Sequence, residues 1–195
     1  MVNNLKIPVG TSNLRLAKIT KDTKETLTIE KVDKVAEDYL QKINAQPESS
    51  SEPVYGSNKK LATINSKSAG KGTIELAALP PSLEMAIQGA TKDEHGIIKF
   101  TSNDVSHEWA LSFQIDYQDG TYALVGLGKV VFQLIDESSE TKEDKAKAQP
   151  IKLEFESMDR INDDFYKLKV YSDDESFKEA EFYKQLFKEE ASLSL

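Results

Sequence analysis

The residues most able to do chemistry in this chain are few, and their spacing does not assemble a reaction centre. Its two histidines, His95 and His107, would each need acidic partners converging on them to hold a metal. No H-x-x-x-H or comparable spacing supplies a second ligand. His95 sits in the turn Asp93-Glu94-His95-Gly96 and His107 precedes Glu108 at a strand start, so both read as solvated residues. Asp159, Asp163 and Asp164 could suggest a hydrolase carboxylate pair or a calcium loop. The stretch lacks the alternating oxygen ligands and central glycine of an EF-hand, and reads instead as an acidic turn between strands. Gly126-Leu127-Gly128 and Gly70-Lys71-Gly72 are too short to cradle a phosphate or dinucleotide. There is no cysteine, which removes disulfides, thiolate nucleophiles and cysteine-based metal sites together. No Ser/His/Asp triad can be assembled. The expectation is a protein without enzymatic activity, metal or cofactor.

The informative pattern is structural, and it lies at residues 107–135. Trp109, Leu111, Phe113, Ile115 and Tyr117 are apolar at every second position, with Ser112, Gln114, Asp116 and Gln118 between them. That period predicts a strand with one dry and one wet face. Asp119-Gly120 predicts a tight turn with two positive-φ residues. The return arm, 121–135, contains no proline and two glycines, and unbroken it would run about 50 Å. Gly126 and Gly128 are expected to mark a bulge that bends it. A hairpin this long, with one polar face, suggests a sheet that continues beyond one subunit.

The 195 residues suit one well-cored domain spanning 1–195. Hydrophobic content of 38% beside 30% charged residues fits a globular protein with much exposed surface. A net charge of −8 repels phosphates and argues against specific DNA or RNA binding. The N-terminus lacks the apolar core of a signal peptide, and no apolar run approaches the roughly 20 residues of a membrane span. Synthesis in the cytoplasm without membrane insertion is expected.

The remaining elements follow from local pattern. Residues 14–19 and 26–30 read as strands joined by a polar loop. Over 31–43, Val32, Val35, Ala36, Tyr39, Leu40 and Ile43 recur at helical spacing, which taken alone predicts an amphipathic helix. Residues 44–57, with two prolines and three consecutive serines, predict a long mobile loop. Strands are expected at 61–65 and 72–77, separated by a turn at 66–71. A short helix should end at Gly89, with Pro80 and Pro81 at its start. A strand follows at 97–100, and more at 151–156 and 165–171. Residues 136–148 form a charged connector. A terminal helix should begin at the acidic 173–175, with Phe177, Ala180, Tyr183, Leu186 and Phe187 as its apolar stripe, packed on the body of the same subunit. The sum is mainly β (α+β): a β-sandwich or partly closed barrel with one short internal helix and one C-terminal helix.

Several blocks occur in a telling order: Glu-Pro-Val-Tyr-Gly-Ser-Asn (52–58), Gly-Thr-Ile-Glu-Leu-Ala-Ala-Leu-Pro-Pro (72–81), the helix ending at Gly89, and the 93–96 turn. Then come Glu-Trp-Ala-Leu-Ser-Phe (108–113), Asp-Gly-Thr-Tyr-Ala-Leu-Val (119–125), the charged connector, Ile-Lys-Leu-Glu-Phe-Glu (151–156), and Phe-Lys-Glu-Ala-Glu-Phe-Tyr-Lys-Gln-Leu-Phe (177–187). Over roughly residues 12–188 this order resembles the major tail proteins, or tail tube proteins, of long non-contractile-tailed bacteriophages of Gram-positive hosts. The chain departs from the family at Thr121-Tyr122-Ala123-Leu124, where members carry Tyr-Arg-Tyr.

The resemblance implies a β-sandwich protomer that forms hexameric rings, stacked into a hollow tube through which DNA passes without specific binding. It implies a virion structural protein, assembled in the host cytoplasm, with itself as first partner and tape measure, terminator and distal tail proteins as others. It also implies a strand at 31–43, against the helical spacing there. Under this reading Ser112, Gln114 and Asp116 face the lumen or a subunit interface, and Tyr55 and Asn58 belong to a loop that contacts the next ring. Two other readings compete. One is a monomeric β-sandwich module binding carbohydrate or a host surface through Tyr39, Tyr55 and Tyr171. The other is a tail terminator or a type VI secretion-like tube.

Overall fold

The alternating segment at 107–135 becomes the central hairpin of the molecule. The computed structural model describes residues 5–34, 37–57, 59–101, 104, 106–135 and 149–188, with the backbone alone at 47–52, 56 and 63–69. The charged connector at 136–148 lies outside the described residues. In chain order the elements are β1 (Pro8–Asp22), β2 (Leu27–Ile29), a 3-10 turn (Glu37–Tyr39), β3 (Leu40–Gly56), β4 (Lys59–Leu76), α1 (Pro81–Gln88), β5 (Thr91–Lys92), β6 (Ile98–Lys99), β7 (Glu108–Tyr117), β8 (Tyr122–Phe132), β9 (Ile151–Met158), β10 (Lys167–Tyr171) and α2 (Glu179–Phe187).

Eight strands form one antiparallel sheet in the order β2-β1-β7-β8-β9-β4-β3, with β10 added to β8; β5 and β6 make a separate small hairpin. The fold is mainly β with two α-helices, and among the described residues the sheet does not close into a barrel.

The turn between β7 and β8 is a three-residue loop. Gly120 N–H donates to Tyr117 C=O, and Tyr117 N–H donates to Thr121 C=O. Only Gly120 is left-handed, at φ 78°, so one positive-φ residue suffices where two were expected: the loop is a type I turn closed by a glycine bulge. Beyond it β8 bends at the predicted place. Trp109 pairs with Val130 and Leu111 with Leu127, so β8 carries one extra residue between them. The bulge reverses side-chain parity, and Leu127 and Val130 therefore reach the same core despite their odd spacing. It also divides the far edge of β8. The first half pairs with β10 through Leu127, and the second pairs with β9 from Lys129.

The central strands β1, β7 and β8 are covered on both faces. Leu14, Leu16, Trp109, Leu111, Phe113, Val125, Leu127 and Phe132 join Ile74, Leu76, Leu153 and Phe155 of β4 and β9, with Leu83 and Ile87 of α1, in the main core. Ala17, Ile19, Ala110 and Leu124 point the other way, under Phe182, Leu186 and Phe187 of α2. The terminal helix thus packs on its own subunit, as expected, although Phe182 is the buried aromatic that the predicted stripe missed. It begins at Glu179, after Asp174 has closed a separate turn by accepting from the N–H and Oγ of Ser176. The acidic 173–175 therefore precedes the helix and does not start it. Helix α1 ends as predicted, with Gly89 left-handed at its C-cap.

Three expectations fail together in the middle of the chain. The helical spacing over 31–43 resolves into a bridge at Asp33, the 3-10 turn, and the first residues of β3. Leu40 and Ile43 pack against the main core from a strand, so tertiary burial overrides local spacing. The loop expected at 44–57 is strand as far as Gly56, and the turn expected at 66–71 lies inside β4. Their backbone groups bond to each other from Leu40↔Leu76 out to Gly56↔Lys59, with three register shifts.

Candidate assembly surfaces

The polar row of β7 is paired with β1 and covered in part by α2. Arg15, Ser112 and Gly126 stand in register across β1, β7 and β8. The Arg15 guanidinium lies 4.4 Å from the centre of the Tyr183 ring, and a Cβ on Gly126 would stand 2.7 Å from Leu186 Cδ2. Small or flat groups in this row are what let α2 sit close. Ser112 is in consequence fully buried, and its Oγ has no hydrogen-bond partner among the described residues. The wet face expected of β7 is thus dry at this end, because the terminal helix supplies a second apolar layer.

Gln114 and Asp116 lie beyond the reach of α2 and are half-buried. A bulge in β1 places Asn13 at φ 54°, and its Nδ2 donates to Gln114 Oε1 at 2.7 Å. Gln114 Nε2 donates to Asp116 Oδ1 at 2.5 Å, and Ser12 Oγ donates to Asp116 Oδ2 at 3.1 Å. At the hairpin tip Lys6 Nζ reaches Thr121 Oγ1 and Asp173 Oδ2, both at 2.7 Å, and Asp119 Oδ2 at 3.2 Å. The Thr121 hydroxyl and N–H, with Lys6 further out, hold the Asp119 carboxyl below the usual carboxylate range. These contacts tie the N-terminal segment to the turn and to the start of the C-terminal segment.

The largest surface feature was not legible as a strand pair. β9 pairs with β4 only over Lys71–Leu76, so residues 59–70 of β4 pair with β3 alone and form a two-stranded arm. At the strand rise it spans about 40 Å. Tyr55 is 66% and Leu61 69% exposed near its end, beside Val54, Lys59 and Lys60. Asn58, in the connecting turn, lies outside the described residues. Tyr39 and Tyr171 are also exposed, but Tyr171 is stacked on Tyr117 with ring centres 6.3 Å apart.

Two buried polar anchors escaped the sequence reading. Lys129 Nζ lies 2.8 Å from Asp22 Oδ2 and 3.5 Å from Glu108 Oε1. Asp22 also accepts the N–H groups of Ile161 and Asn162. Burial alone would raise the Asp22 carboxyl, but Lys129 and these two donors hold it below its ordinary value. The signal was a single lysine in the otherwise uncharged run of β8. Arg160 is fully buried. It grips Asp163 through Nε at 2.7 Å and Nη2 at 2.6 Å, and it donates to the carbonyls of Leu186 at 2.6 Å and Gln185 at 3.1 Å. It thereby satisfies two of the last carbonyls of α2, which lack partners within the helix. Asp163, also bound by Lys188 at 3.0 Å, is thus a structural turn residue, as the acidic-turn reading expected.

His95 is exposed and His107 half-buried; burial and then Lys18 lower the His107 pKa, against a weaker pull from Glu30. No cluster of three or more His, Cys, Asp or Glu suited to a metal occurs among the described residues. No helix there is long and apolar enough to cross a membrane.

Among the described residues the surface carries strand edge, the arm and scattered charge. The chain matches the model of the phage tail tube protein family over residues 40–193, and it belongs to that family. Its role is therefore structural: a component of the phage virion tail, which assembles with copies of itself into a tube. No curated protein matches it.

Proposed function

We propose that this chain is the tube subunit of a long, non-contractile-tailed phage of a Gram-positive host. As a single β-sandwich domain over 1–195, it closes hexameric rings that stack into the conduit for DNA during ejection. The observation that carries the reading is the family match, which takes in both strands of the arm, the central hairpin and the closing helix. Physical chemistry supports it. Among the described residues the outer edges of β3 and β10 carry no strand, and pairing edges between neighbours in a closed ring is one way such edges are covered.

Gln114 and Asp116 are the lumen or interface candidates of the hairpin; Ser112, enclosed beneath α2, is not. Tyr55 and the adjacent Asn58 belong to the contact with the next ring. An acidic bore, consistent with the net charge of −8, would keep DNA from adhering as it passes. Assembly takes place in the host cytoplasm, and tape measure, terminator and distal tail proteins complete the tail. Sedimentation of the purified chain should shift with concentration toward ring-sized and larger species; a protein that stays monomeric at every concentration would overturn the proposal. Asp116→Lys should leave folding intact and slow DNA passage, and unchanged infectivity would remove Asp116 from the lumen.

A further inference from the structure

The arm is basic in an acidic protein. Residues 59–70 of β4 contain Lys59, Lys60 and Lys67 and no acid, and Glu48 and Glu52 are the only acids on the stretch of β3 paired with them. The arm thus carries a net charge of +1 in a chain of net charge −8, and both lysines at its end, Lys59 and Lys60, lie in a stretch, 53–62, that has no acid. Its end also exposes Tyr55 and Leu61, with Lys60 across from Tyr55 and Lys59 across from Gly56.

Among the described residues, a concentration of the opposite charge lies at the start of α2. Asp173, Asp174, Glu175, Glu179 and Glu181 are all exposed; Lys178 lies among them in sequence, and Lys6 is paired with Asp173. They follow Tyr171, which is 39% exposed, stacked on Tyr117, and has Lys169 Nζ 4.6 Å from its ring centre, so the acidic rim lies on the α2 side of the ring. An exposed aromatic beside an acidic rim matches an apolar tip beside a basic rim, the arrangement of apolar centre and charged periphery common at protein interfaces.

We infer that the arm of one subunit docks on the Tyr171–Glu181 surface of a second copy of this chain, with Lys59 and Lys60 set against Glu175 and Glu181 and with Tyr55 and Leu61 against Tyr171. The inference rests on the self-assembly proposed above and adds the surface that receives the arm. A second copy is favoured over a foreign protein because both halves of the match lie on the same chain. Each subunit in a stack can then offer its arm and receive another, so the contact is heterologous and propagates along an axis.

A charge swap tests it. Full-length wild type, Lys59→Glu/Lys60→Glu, Glu175→Lys/Glu181→Lys and the variant combining all four are each purified unassembled. Their thermal unfolding confirms that they fold. Assembly at low salt is then followed by light scattering and electron microscopy. Each half-swap should lower the assembly rate about tenfold or more, and the combined variant should return to within about threefold of wild type. Half-swaps that assemble like wild type, or a combined variant no better than either half, would overturn the docking surface while leaving tube formation intact. Failure of the wild type to assemble at all would instead overturn the proposed function, and the docking inference with it.

Discussion

The ammonium of Lys129 stands 2.8 Å from the carboxylate of Asp22, and both side chains are almost sealed from solvent. The pair joins the bend of β8 to the end of β1, and through the N–H groups of Ile161 and Asn162 it fixes the turn before β10. Removing one charge leaves the other buried with only Glu108 nearby. Asp22→Asn should therefore cost about 3 kcal/mol in urea unfolding. The sign of the pH effect follows from the depressed carboxyls of Asp22 and Asp163. Their stabilisation is complete above the ordinary value of 3.8 and is lost as the pH falls through their lower folded values. Wild type should lose stability steeply below pH 4, and Asp22→Asn less steeply.

Arg160 holds α2 against the sheet from 26 residues away. Arg160→Met keeps the bulk but leaves the Leu186 and Gln185 carbonyls without their donor and Asp163 without its fork. A loss of about 3 kcal/mol is expected. Hydrogen exchange should show the amides of α2 opening before those of β7 and β8. Uniform exchange across all three elements would mean that the helix is held by its apolar contacts alone.

The row beneath α2 predicts two opposite outcomes. Ser112→Ala removes a buried hydroxyl that has no partner, and should be neutral or stabilising by up to about 1 kcal/mol. Gly126→Ala places a methyl against Leu186 and Phe182, and should cost about 2 kcal/mol by overpacking. Denaturant midpoints of the two variants decide the matter, and a destabilised Ser112→Ala would reveal a hydrogen bond at that hydroxyl.

Tyr183 supplies an alkaline signature. Burial pushes its phenol up to about 12, against a smaller opposing effect of Arg15. A group raised on folding contributes its full stabilisation below its unfolded value of 10 and loses it as the pH rises through the folded value. Thermal unfolding midpoints should fall between pH 10 and 12 in wild type and fall less in Tyr183→Phe.

Much of this architecture could be read from residues alone, and the failures share a cause. Where one face of an element is buried by its own chain, the pattern survives: the β7 alternation, the glycine bend of β8, and the proline start and Gly89 stop of α1 were all legible. The arm is held by backbone pairing outside the core, so its side chains need no alternation, and Pro47, the serines at 49–51 and Pro53 made it look like a loop. Ser112 misled in the opposite direction. Its polarity marked a wet face, but a helix 70 residues later in the chain covers it. Arg160 was illegible for a related reason, because its partners are main-chain carbonyls that no side-chain pattern advertises.

Electron microscopy of the concentrated, purified protein shows whether this subunit builds a tube with copies of itself. Rings of six subunits and hollow stacks of them are expected, with density for the arm reaching from each ring to the next. A field of single compact particles at every concentration and salt, or rings that never stack, would contradict tube formation.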